Sequence, residues 1–287
     1  MRQNEAAKGI LFILPAFVLL VVILGFPAIA AVLQSFNLFW VERVSFTAAE
    51  YTGLVFDTEF RNAFSNTIGL VALVVAFHVV FGLAVALLLN LDLKAKWLFR
   101  VIALLPWTMP DVIAGLLWRF MFDTLSGVVN GVLLRVGALE QPFDFLGQPI
   151  YAFASLALAE AWRGYPFVML ILLAGLQAIP ASQYEAAFLD GATSWQAFRF
   201  VTLPNLKAML IIAIVLDTVW ECRLFGMVFS LTGGGPGSAT ETLSLLTYRH
   251  YFVYFNASHA AAISIVLASI MLLIAGPYLR ITMRQRV

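Results

Sequence analysis

Five ionisable side chains lie inside long apolar stretches of this sequence: Glu160, Arg163, Asp217, Glu221 and Arg223. Within a bilayer a charge is costly, so each of these residues is a functional hypothesis by default. On a helix, Glu160 and Arg163 are three residues apart and can pair. Asp217 and Glu221 are four apart, so two like charges share one face and need a cation or a shared proton. We expect Arg163 or Arg223 to supply that cation.

A second distinctive segment, residues 181–204, is polar and rich in small residues between two long apolar stretches. It contains Glu185-Ala186-Ala187, then Asp190-Gly191, and it ends at Leu203-Pro204. Ser182 followed three residues later by Glu185 is typical of a capping box and predicts a helix. An amphipathic anchor helix in the membrane interface would explain the nearby aromatic residues, but not the Glu, Asp and Gly positions. The segment therefore indicates a contact with something outside the bilayer.

The composition is that of a membrane protein. Charged residues make up 11% of the chain and the mean hydropathy is +0.93, whereas a soluble domain has about 25% charged residues. A net charge of +1 gives no reason to expect a nucleic-acid partner. The single cysteine, Cys222, excludes an intrachain disulfide. The histidines, His78, His250 and His259, are scattered along the chain, and we predict neither a ligand cluster nor a metal site.

Six segments are long and apolar enough to cross a bilayer, which requires about 20 apolar residues in a helix. The apolar run from Ile10 to Ala31 exceeds the h-region of a signal peptide, about 7–15 residues, so we interpret it as a retained anchor. Pro106 and Pro110 predict a kink in the third segment. The predicted spans are about 10–36, 65–89, 100–122, 150–178, 206–230 and 260–281.

The distribution of Lys and Arg among the connections predicts the orientation. Ten of these residues lie before the first span, near 94–100, near 199–207 and after residue 279, against five in the other connections. Both termini and the 181–204 segment should therefore be cytoplasmic. We predict an all-α polytopic membrane protein, a kinked bundle of six transmembrane helices. Residues 1–64 would form an anchor helix and an external loop, and residues 65–287 a core of five transmembrane helices.

The spacing within the 181–204 segment resembles a known signature. Glu185-Ala186-Ala187, three residues, Gly191, nine residues, Val201, one residue and Leu203-Pro204 resemble the EAA signature of ABC importer permeases. In that family the segment is a cytoplasmic coupling helix that docks into a cleft of the ATP-hydrolysing subunit. The resemblance assigns ATPase coupling to Glu185, Ala186, Ala187, Asp190, Gly191, Leu203 and Pro204.

Further motifs are similar to the carbohydrate-uptake branch of that family, the permeases of the maltose and glycerol-3-phosphate type. The resemblance runs from about residue 60 to the end of the chain, and the motifs occur in the same order. They are Leu105-Pro106-Trp107, Pro110, Trp118, Gly127-Val128-Val129-Asn130, Leu176-Gln177-Ala178-Ile179-Pro180, Gly233-Gly234-Gly235-Pro236 and Ala239-Thr240-Glu241-Thr242.

The resemblance implies a multi-subunit importer in a bacterial or archaeal cytoplasmic (inner) membrane, working by alternating access. Its other parts are two ATP-binding subunits, an extracytoplasmic substrate-binding protein and a second, homologous permease subunit. A heterodimer of permeases is favoured, and a homodimer stays open. The sequence has no G-x-x-x-x-G-K-[ST] phosphate loop. We therefore expect no cofactor on this chain and no enzymatic activity, with ATP and Mg²⁺ bound by the ATPase subunits.

The charges within the spans allow two interpretations under this resemblance. One is a structural network of ion pairs, and the other is a polar cavity for substrate, with Trp220 offering an aromatic face to a sugar ring. The segment 217–226 carries more charge than related permeases, and Gly226 stands where they often have Asp. This favours a substrate with an acidic group, held by Arg through a bidentate contact. The cavity candidates are Glu160, Arg163, Asp217, Trp220, Glu221 and Arg223.

Two functions from other classes remain as alternatives. An ion-coupled secondary transporter would use Asp217, Glu221 and His78 as proton or ion sites, but it leaves the 181–204 segment unexplained. A membrane-embedded enzyme is weaker still, because the carboxylates lack a His-rich metal constellation or a nucleophile beside a base.

Overall fold

The computed structural model describes residues 12–39, 44–92 and 94–284, and within these ranges every regular element is a helix. The all-α prediction is confirmed. The helices are α1 (Phe12–Ser35), α2 (Ala49–Phe56), α3 (Thr58–Asn90), α4 (Lys96–Leu104), α5 (Asp111–Met121), α6 (Val128–Arg135), α7 (Pro149–Gln177), α8 (Ala181–Leu189), α9 (Ser194–Glu221), α10 (Gly226–Leu231), α11 (Leu243–Tyr248) and α12 (Ala257–Arg284).

Five of these helices, α1, α3, α7, α9 and α12, are long and apolar enough to cross a membrane. A sixth span is formed if α4 and α5, with the 3₁₀ turn Leu105–Thr108 between them, count as one broken span. The six predicted spans therefore match the described helices. The fifth differs in its bounds: we predicted 206–230, whereas α9 ends at Glu221 and α10 is a separate helix.

The predicted kink between Pro106 and Pro110 is confirmed as a bend of 95°. Pro106 lies in the first turn of the 3₁₀ helix, and Pro110 is the N-cap of α5. Met109, between them, is extended with φ −78° and ψ 133°, because a residue before proline is sterically driven out of the helical region. The bend places Asp111 at the first position of α5.

The described residues divide into two compact units. The first is drawn from Met1–Arg61 and Leu246–Ala268. In it, the Gln34 side-chain amide donates a hydrogen bond to the Ser258 hydroxyl at 3.1 Å, and the Tyr51 hydroxyl donates one to the Ser35 hydroxyl at 2.7 Å. Within this unit, polar contacts therefore join α1 both to α2 and to the start of α12.

The second unit is drawn from Asn62–Leu245 and Ser269–Val287. Its core packs α3, α7 and α9 together through small and aliphatic side chains. Gly82 permits the close approach of α3 and α7, since a Cβ there would lie 3.0 Å from the Met169 backbone nitrogen. At Gly164 of α7, a Cβ would overlap the ring of His78. These glycines let two helices approach closely enough for a buried polar site to form between them.

Candidate functional site

The 181–204 segment forms a short exposed helix, α8, that leads into α9. The helix begins at Ala181 with Pro180 as its N-cap, and the cap makes no side-chain hydrogen bond. The predicted capping box at Ser182 and Glu185 is therefore wrong, because Ser182 lies inside the first turn instead of before it. The capping box of this segment belongs to α9, where Thr193 Oγ1 accepts from Gln196 N at 3.3 Å and Gln196 Oε1 accepts from Thr193 N at 2.7 Å.

Gly191 ends α8. Its φ of +83° lies in the left-handed region that favours glycine. Ala192 N donates to Ala187 O at 2.9 Å, and Gly191 N donates to Phe188 O at 3.1 Å. This pair of bonds is a Schellman motif, which satisfies the last carbonyl groups of a helix. A Cβ on Gly191 would meet no atom within 4 Å, so the backbone conformation, not crowding, requires glycine here.

The surface around α8 exposes acidic and large apolar side chains together. Glu185 and Asp190 are exposed, and Leu189 and Trp195 are 89% and 65% exposed. Large apolar side chains that are exposed close together in sequence are a candidate interaction site. We call this surface, formed by the exposed residues of 181–204, the coupling surface, after the role that the sequence resemblance predicts for it.

Two hydrogen bonds hold α8 against the first turns of α9. The hydroxyl groups of Tyr184 and Thr202 lie 3.0 Å apart, and the Asn205 amide donates to Gln183 Oε1 at 2.8 Å. These bonds attach α8 directly to a membrane-spanning helix.

Arg163 is the centre of the buried charges. It binds Glu160 with two nitrogens: Nη2 donates to Oε1, and Nε donates to Oε2 at 3.2 Å. The predicted pair of Glu160 and Arg163 is therefore present. A second carboxylate, Asp111, lies with Oδ1 3.1 Å from Arg163 Nη1. Asp111 was missed by the sequence analysis, although its position directly after the proline break offered a signal.

Gly226 accommodates Asp111. A Cβ on Gly226 would lie 2.7 Å from the Asp111 Cβ, so the two residues are in close contact. An aspartate at position 226 would collide with Asp111 and place a second carboxylate beside it. Related permeases often carry Asp where this chain has Gly226. In this chain the carboxylate at that place is Asp111, which comes from α5, and the glycine leaves room for it.

Asp217 is paired with His78, and not with an arginine as we predicted. His78 Nδ1 lies 2.8 Å from Asp217 Oδ2, and His78 Nε2 lies 3.1 Å from the Glu160 carbonyl oxygen. Because a carbonyl only accepts, Nε2 carries a proton and donates it. One further proton must lie between Nδ1 and Oδ2, so the pair as a whole is neutral. The neutral pair reduces the like-charge repulsion between Asp217 and Glu221, which lie four residues apart on α9.

Glu221 is buried at 3% exposure, and its Oε2 has no hydrogen-bond partner among the described residues. It faces a small cavity in the second unit, of about 10 Å³, close to the smallest volume that holds one water molecule. The cavity is lined by Trp107, Arg163, Gly164, Phe167, Asp217, Trp220 and Glu221. A buried carboxylate oxygen that lacks a protein partner calls for a water, a proton or a ligand.

Four of the six predicted cavity residues, Arg163, Asp217, Trp220 and Glu221, line this cavity. Glu160 does not, and it is fully buried in its pair with Arg163. Arg223 is exposed, and it forms no ion pair in the part of the chain that the structure describes. Its guanidinium lies over the Trp220 ring, 5.4 Å from the centroid, within the range of a cation–π contact.

Three aromatic rings form a row beside the charged cavity, which we call the aromatic row. The Trp107 and Phe167 centroids are 6.2 Å apart, and those of Phe167 and Trp220 are 6.1 Å apart. Trp107 and Trp220 are 38% and 47% exposed. Of these three rings, we predicted only Trp220 as a cavity residue. Phe167 could have been found, because it lies four residues after Arg163 and so on the same face of α7.

Comparison with known proteins agrees with this architecture. The family described as binding-protein-dependent transport system inner membrane component matches residues 78–285. The trehalose/maltose transport system permease protein MalF of Thermococcus litoralis is 36% identical over 88% of this chain and 85% of its own length. The sulfoquinovosyl glycerol transport system permease protein SmoG of Agrobacterium fabrum is 34% identical over 97% and 91%, respectively.

A solved structure gives the same fold. A bacterial ABC transporter involved in the import of the acidic polysaccharide alginate has a chain that superposes with a TM-score of 0.83 at 23% identity, covering 99% of both chains. The predicted resemblance to importer permeases is therefore confirmed, and the ion-coupled and enzyme alternatives gain no support. This chain belongs to the family of binding-protein-dependent transport system inner membrane components, and it is a membrane-spanning permease subunit.

Proposed function

We propose that this permease subunit serves an ATP-driven importer of a sugar or a sugar derivative. The aromatic row carries the proposal, because partly exposed indole rings beside buried polar groups suit the apolar face and the hydroxyl groups of a pyranose. The two relatives named for trehalose/maltose and for sulfoquinovosyl glycerol support the same substrate class.

The proposed complex contains two ATP-binding subunits, a second homologous permease, forming a heterodimer with this chain, and an extracytoplasmic substrate-binding protein. The family description supports the binding protein. The coupling surface supports the ATPase contact, because water does not favour the exposed apolar side chains of Leu189 and Trp195. The exposed Glu185 beside them could add a polar contact to a partner. ATP and Mg²⁺ bind to those partner subunits, and this chain contributes no cofactor.

Alternating access is the mechanism proposed for the complex, with both termini and the coupling surface in the cytoplasm. Closure of the ATPase subunits moves α8, and the hydrogen bonds of Tyr184 and Asn205 carry that motion into α9. Since α9 also bears Asp217, Trp220 and Glu221, a movement that starts at its beginning reaches the cavity lining. A cavity of about 10 Å³ admits no sugar ring, so passage requires this opening.

We further propose that the substrate carries an acidic group. Arg223 supports this, because its guanidinium is exposed, is stacked on Trp220 and is free to bind a carboxylate, sulfonate or phosphate. Arg163 is less suited to that role, since its nitrogens already bind Glu160 and Asp111.

The test compares uptake of an anionic and a neutral sugar by proteoliposomes that contain the whole complex and its binding protein. Arg223→Ala should lower uptake of the anionic sugar by about tenfold or more, the loss of one charge-assisted contact, and leave the neutral sugar within about twofold. Arg135→Ala, at the exposed end of α6, is the matched control and should change neither. Equal effects on both sugars would remove the acidic-group proposal, whereas uptake that needs no ATP would remove the importer itself.

A further inference from the structure

Two histidines come together in the first unit. The rings of His250 and His259 lie 4.4 Å apart. The histidines are scattered in the sequence, but a reversal of the chain after a π-helical turn, Arg249–Val253, brings these two together. Asn256 N donates to His250 O at 2.8 Å and fixes that reversal.

A carboxylate completes a set of possible metal ligands. Donor atoms of Asp57, His250 and His259 all lie within 4.8 Å of one another. A point therefore exists that is no more than about 2.8 Å from each donor, and zinc binds nitrogen and carboxylate oxygen at about 2.0–2.2 Å. Small side-chain rotations, of less than about 1 Å at each donor, close the difference.

The surroundings of each donor leave the correct atom available. His259 Nδ1 lies 2.9 Å from Glu50 Oε2, which holds the Nδ1 proton and leaves the Nε2 lone pair free. Asp57 Oδ1 accepts from Glu59 N at 2.8 Å, which leaves Oδ2. A carboxylate that accepts the second N–H of a histidine is the usual outer partner of a metal-binding imidazole.

Both ring nitrogens of His250 and Nε2 of His259 are buried and make no hydrogen bond to the described residues. An imidazole nitrogen that has no hydrogen-bond partner keeps its lone pair available for a metal ion. An ion pair of a protonated His259 with Glu50 and Asp57 would use the carboxylates, but it would leave the His250 nitrogens without a partner.

We propose that Asp57, His250 and His259 form a binding site for a divalent transition-metal ion of the zinc class, with Glu50 orienting His259. Two nitrogens and one carboxylate oxygen match the ligand preferences of zinc, and water would complete a tetrahedral set. Asp57 directly precedes α3, and His250 and His259 flank the start of α12. The ion would therefore link the residue before α3 to the start of α12 within the first unit. The site does not depend on the proposed transport function.

The test uses Zn²⁺ and the full chain with its partner subunits, carrying no polyhistidine tag, after removal of bound metals with a chelator. Zinc content by mass spectrometry and competition with a chromophoric chelator give stoichiometry and affinity. We expect the wild-type complex to bind one more zinc ion than a complex with His250→Ala. In Asp57→Asn, the affinity for that ion should fall about a hundredfold or more. Asp57→Asn keeps the oxygen that accepts from Glu59 N, so its fold should be preserved.

Two further variants make the result specific. Glu50→Gln should weaken zinc binding about 10–100-fold, as loss of an outer partner does, whereas Glu59→Gln, an exposed neighbouring carboxylate outside the cluster, should leave it unchanged. Co²⁺ in the wild type should show the intense visible bands of tetrahedral coordination, independently of any variant. Absence of stoichiometric zinc in the folded wild type, or equal binding by wild type, His250→Ala and Asp57→Asn, would overturn the proposal.

Discussion

The coupling surface and the buried charged cavity are built in opposite ways. The coupling surface comes from one continuous segment of 24 positions, 181–204, and its shape follows from local features such as the capping box of Thr193 and the left-handed Gly191. The cavity and its charges combine residues from α3, α5, α7 and α9. A local surface can lose its function while the protein stays folded, whereas a buried network cannot lose one charge without a loss of stability.

The largest expected effect is on the buried network. Arg163→Met leaves Glu160 buried without its cation, and breaking a buried pair in this way costs about 3–5 kcal/mol of unfolding free energy. We expect a strongly lowered midpoint of thermal unfolding in detergent. The double variant Glu160→Gln with Arg163→Met removes both charges and should recover much of the loss. If the losses of unfolding free energy in the two single variants simply add in the double variant, Glu160 and Arg163 are not a coupled pair.

A smaller loss of stability is expected when one methyl group is added at the contact of α3 and α7. Gly164→Ala forces the His78 ring away from its place and should cost about 1–3 kcal/mol, the range for overpacking a core. The matched control is Gly69→Ala, where a Cβ would lie 3.7 Å from the Phe153 ring and makes an ordinary contact. Thermal unfolding of the two variants measures the difference. Equal midpoints would mean that the close packing of the His78 ring on Gly164 contributes nothing to stability.

The smallest effect on stability is expected at the coupling surface. Gly191→Ala places a side chain at φ +83°, at a cost of about 1–2 kcal/mol confined to the end of α8. If the altered helix end weakens docking by about 1 kcal/mol, ATP hydrolysis stimulated by the loaded binding protein should fall about fivefold. The unfolding midpoint should change less than in Gly164→Ala.

Gly131→Ala is the control for Gly191→Ala, since Gly131 lies within α6 with open space around it. Alanine there has the higher helix propensity and should preserve both stability and stimulated ATP hydrolysis. Unchanged stimulation in Gly191→Ala would contradict the coupling role of this surface.

The sequence predicted the coupling surface and the buried charges to different extents, because the first depends on local residues and the second on contacts between distant helices. Ser182 was a plausible N-cap by spacing, yet the N-cap is Pro180, two residues earlier, because Pro180 already provides the extended entry into the helix. Arg163 and Glu160 were paired correctly because they share one helix. Asp217 was assigned to an arginine, although its partner is His78, 139 residues away along the chain.

The membrane-spanning helices, the break between Pro106 and Pro110 and the family could be predicted from sequence patterns, because hydropathy, proline stereochemistry and motif spacing are properties of neighbouring residues. The helix packing was needed to show that Asp111 shares Arg163 with Glu160, that Trp107 and Phe167 extend Trp220 into a row, and that His250 meets His259. Those contacts depend on which helix faces pack together and on where small residues such as Gly164 allow a close approach. Packing of this kind is set by shape complementarity across the whole bundle and not by any local pattern.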